Sequence, residues 1–126
     1  MIKEISFKNL DKSILKNGQP ALVQVYTRSC PNCKRLHPVF EETARLNYKS
    51  YSFYKVDARK NIEFVKKYKV LGVPALLFFR HGKLVDKKTG VISRKRIEKR
   101  LEPLMNYSID DVNRKEVKGY FKLPWK

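Results

Sequence analysis

The apolar residues fall into short runs and stripes, separated by glycine, proline and polar clusters. Ile2, Ile5, Phe7 and Leu10 predict a short strand running into a helical turn, which Gly18 and Pro20 then end. Ala21 to Tyr26 reads as a strand buried on both faces, because apolar and β-branched residues fill consecutive positions instead of alternating. Cys33, Leu36, Phe40 and Ala44, with Val39 and Leu46 beside the stripe, predict a helix from about Pro31 to Asn47, bent at Pro38. Tyr51 to Asp57 is the next strand. Asn61 is placed to cap a helix with apolar positions Ile62, Val65 and Tyr68, closing at Val70-Leu71-Gly72. Ala75 to Phe79 is a strand, His81-Gly82 a turn, and Leu84 to Thr89 the hairpin partner, ended by Gly90. Ser93 caps a last helix whose Ile97, Leu101 and Leu104 share one face.

The resulting order, β-α-β-α-β-α-β-β-α, predicts an α/β fold with a central mixed sheet. Strands that are apolar throughout need helices on both faces. Residues 1–105 form this domain, and residues 106–126 are an extension. The extension carries Tyr107, Ile109, Val112, Val117, Tyr120, Phe121, Leu123 and Trp125, more apolar groups than a disordered tail holds. Part of it is expected to pack on the domain as a short strand or helix.

Composition narrows the picture. At 126 residues the chain is long enough for one sizeable core. Its longest apolar run, Val73 to Phe79, is far shorter than the roughly 20 residues of a membrane span. The start, MIKEISFKNLDK, lacks the apolar stretch of a secretory signal, so the expected address is cytoplasmic. The formal charge of +17 comes from 29 Lys and Arg against 12 acids. The basic residues are interleaved with apolar positions at structural spacing, which favours a solvated basic surface with a preference for acidic partners. Nucleic acid is the less favoured partner and a membrane surface less favoured still. A monomer is expected.

The chain has two cysteines, Cys30 and Cys33, and two histidines, His37 and His81, in different segments. Zinc normally takes four ligands at recognisable spacings, which this set does not provide. A structural disulfide closing so short a loop restricts the unfolded chain little. A pair this close is suited to making and breaking its bond. It also lies where a buried strand gives way to a helix. With Cys30 at the helix N-cap, unpaired backbone N–H groups and the positive end of the dipole surround its sulfur and favour the thiolate, which is the nucleophile. Pro31 fits the first helical position, where its missing N–H costs nothing. Arg28, Lys34 and Arg35 add positive potential. Cys33, one turn inside, is more shielded and within reach to displace the product thiol. The expected chemistry is thiol–disulfide exchange, with Cys30 attacking and Cys33 resolving.

Over residues 2 to 105 the chain resembles the thioredoxin family. The resemblance rests on the strand–CxxC–helix junction with Lys34 behind it, Pro38, Asp57, Val73-Pro74, Gly82 and Gly90. It implies a three-layer α/β/α sandwich and a protein-disulfide reductase. Such an enzyme needs no bound cofactor, acts on protein disulfides, and is re-reduced by a reductase or another dithiol donor. It implies that Pro74 is the family's cis-proline facing the cysteines, and that the Val73 backbone pairs with an extended client segment. An ordinary reading of Pro74, as the first residue of an exposed strand, stands beside this one. Tyr26, Pro31, Val73 and Gly90 would form an apolar docking rim, with an ordinary core position the other reading of Tyr26.

Three positions depart from the family pattern. Ser29 stands where Trp is typical, and Pro31-Asn32 stands where Gly-Pro is typical. Gln24 occupies the position of the buried Asp, and Lys55 matches the lysine beside it. Gln cannot accept a proton from Cys33 as a general base, so another group or water does that work, or the step is slower. Lys55 either favours thiolates electrostatically or turns its ammonium outward from the apolar interior. The changed pair between the cysteines leaves a thiol oxidant or isomerase as the alternative direction.

Overall fold

The computed structural model describes residues 1–117. The strands among them, β1 (Ile2–Glu4), β2 (Ala21–Tyr26), β3 (Ser52–Asp57), β4 (Ala75–Arg80) and β5 (Lys83–Thr89), form one five-stranded sheet in the order β1-β3-β2-β4-β5. β1 and β2 both run parallel to β3, while β4 is antiparallel to β2 and to β5. The sheet is mixed, as expected. Helix α1 (Phe7–Leu10) continues into a π-helical turn over Asp11–Leu15, and α2 (Pro31–Asn47), α3 (Ile62–Lys67), α4 (Arg94–Leu101) and α5 (Ile109–Lys115) follow. Helix α2 is continuous across an exposed Pro38.

The apolar run of β2 is covered on both faces. Ala21, Val23 and Val25 join Val56, Leu77 and Phe79 beneath Leu10, Ile14 and Phe64 of one helical layer. Leu22 joins Phe53, Leu76 and Phe78 beneath Leu36 and Phe40 of α2 and Ile97 and Leu101 of α4. Burying each such side chain stabilises the fold by about 1.5–3 kcal/mol. Cys33 and Gln24 lie on the α2 side, at the end where the β2–α2 junction opens.

Two local expectations are corrected. In α3 the inward residue is Phe64, fully buried, while Ile62 is 53% exposed. Phe64 packs against Tyr68 with ring centroids 5.0 Å apart. These two are four residues apart and share the buried face, Val65 is half-buried, and of the expected Ile62–Val65–Tyr68 positions only Ile62 turns toward water. Asn61 precedes α3 without capping it. Its Oδ1 accepts from the Phe7 N–H (2.9 Å), and its Nδ2 donates to the Asp57 carbonyl (2.9 Å), tying the start of α1 to the end of β3. A free N–H at a distant helix start competes for the same acceptor, which local sequence does not reveal.

Ser93 and Ser108 cap α4 and α5, the latter in a reciprocal capping box with Asp111. In the extension Val112 is fully buried, Tyr107 packs beside it, and the Val117 N–H donates to the Leu84 carbonyl (2.7 Å). Ile109 is exposed. Tyr120, Phe121, Leu123 and Trp125 lie outside the described residues.

The β4–β5 hairpin turns on His81 and Gly82, at φ 52° and 76°. A Cβ on Gly82 would stand 2.6 Å from the Leu15 carbonyl oxygen, whereas one on Gly72 would meet nothing within 4 Å. Gly82→Ala is therefore expected to lower stability by about 2 kcal/mol or more, and Gly72→Ala to leave it unchanged or raise it by about 0.5 kcal/mol. Urea unfolding of the two variants checks this. Equal stabilities would mean that the hairpin is not wedged against Leu15.

Candidate active site

The end of β2 delivers the chain to Cys30, which sits at the N-cap of α2 with extended backbone (φ −87°, ψ 114°). The Cys33 N–H donates to the Cys30 sulfur at 3.1 Å, and the Lys34 N–H to the Cys30 carbonyl at 3.2 Å. Pro31 occupies the first turn, where its missing N–H leaves nothing unpaired. Both cysteines are thiols. Cys30 is half-buried and Cys33 is 3% exposed. Burial pushes the Cys33 thiol up to about 11, and its bond with the Cys30 side chain adds to the rise.

Across from the cysteines the Val73–Pro74 peptide is cis. The Cys30 S–H donates weakly to the Val73 carbonyl (3.7 Å), which puts this backbone against the exposed sulfur. The Pro74 carbonyl accepts from the Gly90 N–H at 3.0 Å, and Gly90 holds φ +91°, a conformation that favours glycine. Pro74 is buried, at the start of a central strand, so the reading of it as an exposed strand start does not hold. Pro31 is exposed, and Val73 and Gly90 are half-buried.

The Tyr26 hydroxyl donates to Glu4 Oε2 at 2.6 Å, and Tyr26 lines a pocket of about 330 Å³ with Cys33, Gln24, His37 and Lys55. Burial, followed by the bond to Glu4, raises the Tyr26 phenol well above its ordinary value. Lys55 is neither deeply buried nor free in solvent. Its side chain is 32% exposed, its Nζ lies 3.9 Å from Glu4 Oε1 and 5.8 Å from the Tyr26 ring centroid. Gln24 is 1% exposed, and its Oε1 receives no hydrogen bond from the described residues. Among the described residues no group of three or more His, Cys, Asp or Glu is placed to hold a metal, and no helix is long and apolar enough to cross a membrane.

Residues 1–103 match the family model described as Thioredoxin. The chain belongs to the thioredoxin family. It is 32% identical over 101 residues to the thioredoxin of Mycoplasmoides gallisepticum, an alignment covering 80% of this chain and all of the relative. It is 31% identical to a thioredoxin of Buchnera aphidicola subsp. Schizaphis graminum over 74% of this chain and 86% of the relative. Chloroplastic thioredoxin X of Arabidopsis thaliana is 27% identical over 83% of this chain and 59% of its own length. As a thioredoxin-family protein the chain is a thiol–disulfide oxidoreductase, and protein disulfides are its substrates.

In this thioredoxin-family protein three further groups stand in or near the pocket that Cys33 lines, and the sequence reading gave none of them a place in the site. His37 is one turn beyond Cys33 on α2, a spacing that by itself places the two on one face. Glu4 comes from the edge strand β1. It stands opposite Lys55 in the parallel register, a partnership set by strand order and invisible along the chain. Asp57, read as the end of β3, is buried. It accepts from the Arg59 N–H at 3.0 Å and lies 3.9 Å from Arg28 Nε in the loop before Cys30.

Desolvation, the larger cause of the raised Cys33 thiol, stays when Cys30 is removed. In a Cys30→Ser chain, iodoacetamide labelling of Cys33 is expected to keep accelerating as pH rises past 9, because the thiolate grows only toward about 11. A rate that levels off near pH 8.5, the ordinary range of a free thiol, would show that burial does not control this group.

Proposed function

We propose that the protein is a reductase of protein disulfides, working through a Cys30/Cys33 dithiol–disulfide cycle. The observation that carries this is the Cys30 sulfur at the first amides of α2, with Cys33 buried one turn behind it. In the first half of the cycle, the Cys30 thiolate attacks one sulfur of a client disulfide. The client's other sulfur leaves with the bonding pair, and a mixed disulfide remains. In the second half, Cys33 loses its proton and attacks the Cys30 sulfur. The second client thiol departs, and the Cys30–Cys33 disulfide forms. Two electrons pass to the client through the two sulfurs, so no bound cofactor takes part. A flavoprotein reductase or another dithiol donor returns them.

Val73 supports client docking in this reading. Its carbonyl faces Cys30 and gives up only a weak S–H bond when an extended client segment pairs there. Pro31 and Gly90 supply the surrounding rim. Tyr26 and Lys55 belong to the Cys33 side, where Lys55 contributes positive charge beside the resolving thiol. The charge of +17 favours acidic clients. Reductase chemistry fits a cytoplasmic setting, where thiols are kept reduced. Residues 106–126 form an extension beyond the catalytic domain, a division supported by the family match ending at residue 103, and the burial of Val112 supports packing of residues 106–117 on that domain.

Pro31-Asn32 between the cysteines favours one other direction, that of an oxidant or isomerase. The residues in this position tune the relative stability of dithiol and disulfide, and about 30 mV corresponds to 1.4 kcal/mol for the couple. Insulin reduction by dithiothreitol decides the matter. The protein is expected to accelerate precipitation of the insulin B chain well above the uncatalysed rate, and Cys30→Ser and Cys33→Ser each to abolish the acceleration. No acceleration by the native chain would overturn the reductase reading.

A further inference from the structure

We propose that His37 takes the proton that Cys33 must lose when it resolves the mixed disulfide, through water held in the pocket the two residues share. This rests on the Cys30/Cys33 roles given above and names the group that serves in place of the family's buried acid.

Cys33 needs a base. It is 3% exposed, and its thiol, pushed up to about 11, is almost wholly protonated at neutral pH. The residue beneath it that could have been an acid is Gln24, whose amide is no base. Gln24 Oε1 is buried, without a donor among the described residues, and Gln24 lines the same pocket as Cys33 and His37. At about 330 Å³ the pocket has room for several waters, and an orphan carbonyl oxygen is the kind of partner that fixes one. His37 and Cys33 are one helical turn apart, with Cβ atoms about 6 Å from each other, a span that one water bridges.

The other charged and titratable groups facing His37 do not compete for the proton. Arg28 in the loop, Lys34 on α2 and Lys55 on β3 are cations with no free lone pair, and they favour the thiolate that forms. Tyr26 on β2 is held protonated by burial and by donating to Glu4. On its far side the imidazole lines a second pocket with the amino-terminal Met1, Glu41, Arg45 and Lys55. Glu41 Oε2 lies 3.6 Å from His37 Nε2. Its carboxylate balances the charge that His37 acquires. Imidazole is the side chain whose ordinary titration is matched to proton transfer near pH 7.

The step balances. The Cys33 S–H proton passes to water and a proton from that water to His37. The Cys33 sulfur bonds to Cys30, the Cys30–client bond breaks, and the client sulfur leaves with the electron pair.

Stopped-flow reaction of the reduced protein with dithiobis-nitrobenzoate separates the two halves of the cycle. The first equivalent of nitrothiobenzoate marks attack by Cys30, and the second marks resolution by Cys33. In the native chain the pH profile of the second phase is expected to carry the inflection of the base that takes the proton. His37→Gln should leave the first phase unchanged, slow the second at least about tenfold at neutral pH, and erase that inflection. Added imidazole should restore the second phase in His37→Ala. Equal second phases in native and variant chains would overturn the inference, as would slowing with the pH profile intact, the signature of a merely structural role. A first phase that survives Cys30→Ser would instead overturn the assignment of the cysteines, and this inference with it.

Discussion

The chemistry of this protein depends on a helix that begins where a buried strand ends. The first turn of any helix has backbone N–H groups with no intrahelical acceptor, and here one of them, that of Cys33, points at the sulfur of Cys30 at 3.1 Å. The same helix places Cys33 on its inner face, where burial suppresses its ionisation. One structural element therefore makes two identical side chains chemically different, one a half-buried acceptor of hydrogen bonds and the other a shielded thiol. In the proposed cycle that asymmetry orders attack by Cys30 before resolution by Cys33.

The remainder of the fold holds this junction in place. β2 is central in the sheet and covered on both faces, so its end is fixed by the whole core. β4 brings the Val73–Pro74 peptide alongside, and the Gly90 N–H anchors the Pro74 carbonyl from the end of β5. β1 contributes Glu4, which gathers Tyr26 and Lys55 behind Cys33.

Much of this was legible along the chain, because strong periodic signals and short-range chemistry coincide. α2 runs over the expected span from Pro31 to Asn47, and the expected strands and the His81-Gly82 turn are present. Ser93 caps α4 through a purely local bond. What escaped depended on contacts distant in sequence. Asn61 was read as the cap of its own helix, but its acceptor is taken by Phe7, 54 positions away. The bond from the Tyr26 hydroxyl to Glu4, 22 positions away, is likewise not visible along the chain. His37 was considered only as a metal ligand, although its spacing from Cys33 was already sufficient to place both on one face. The family resemblance marks Gln24 as a departure beside the expected Lys55, but Glu4, the partner of Lys55, emerges only from the strand order.

The most direct test of the account is which sulfur forms the covalent bond to a client. Reduced Cys33→Ser and Cys30→Ser chains are mixed with an oxidised client protein and resolved without reductant. A client linked through Cys30 is expected to accumulate in the Cys33→Ser chain, with little or none in the Cys30→Ser chain. Accumulation in the Cys30→Ser chain alone would reverse the two roles and contradict the claim that the start of α2 selects the nucleophile.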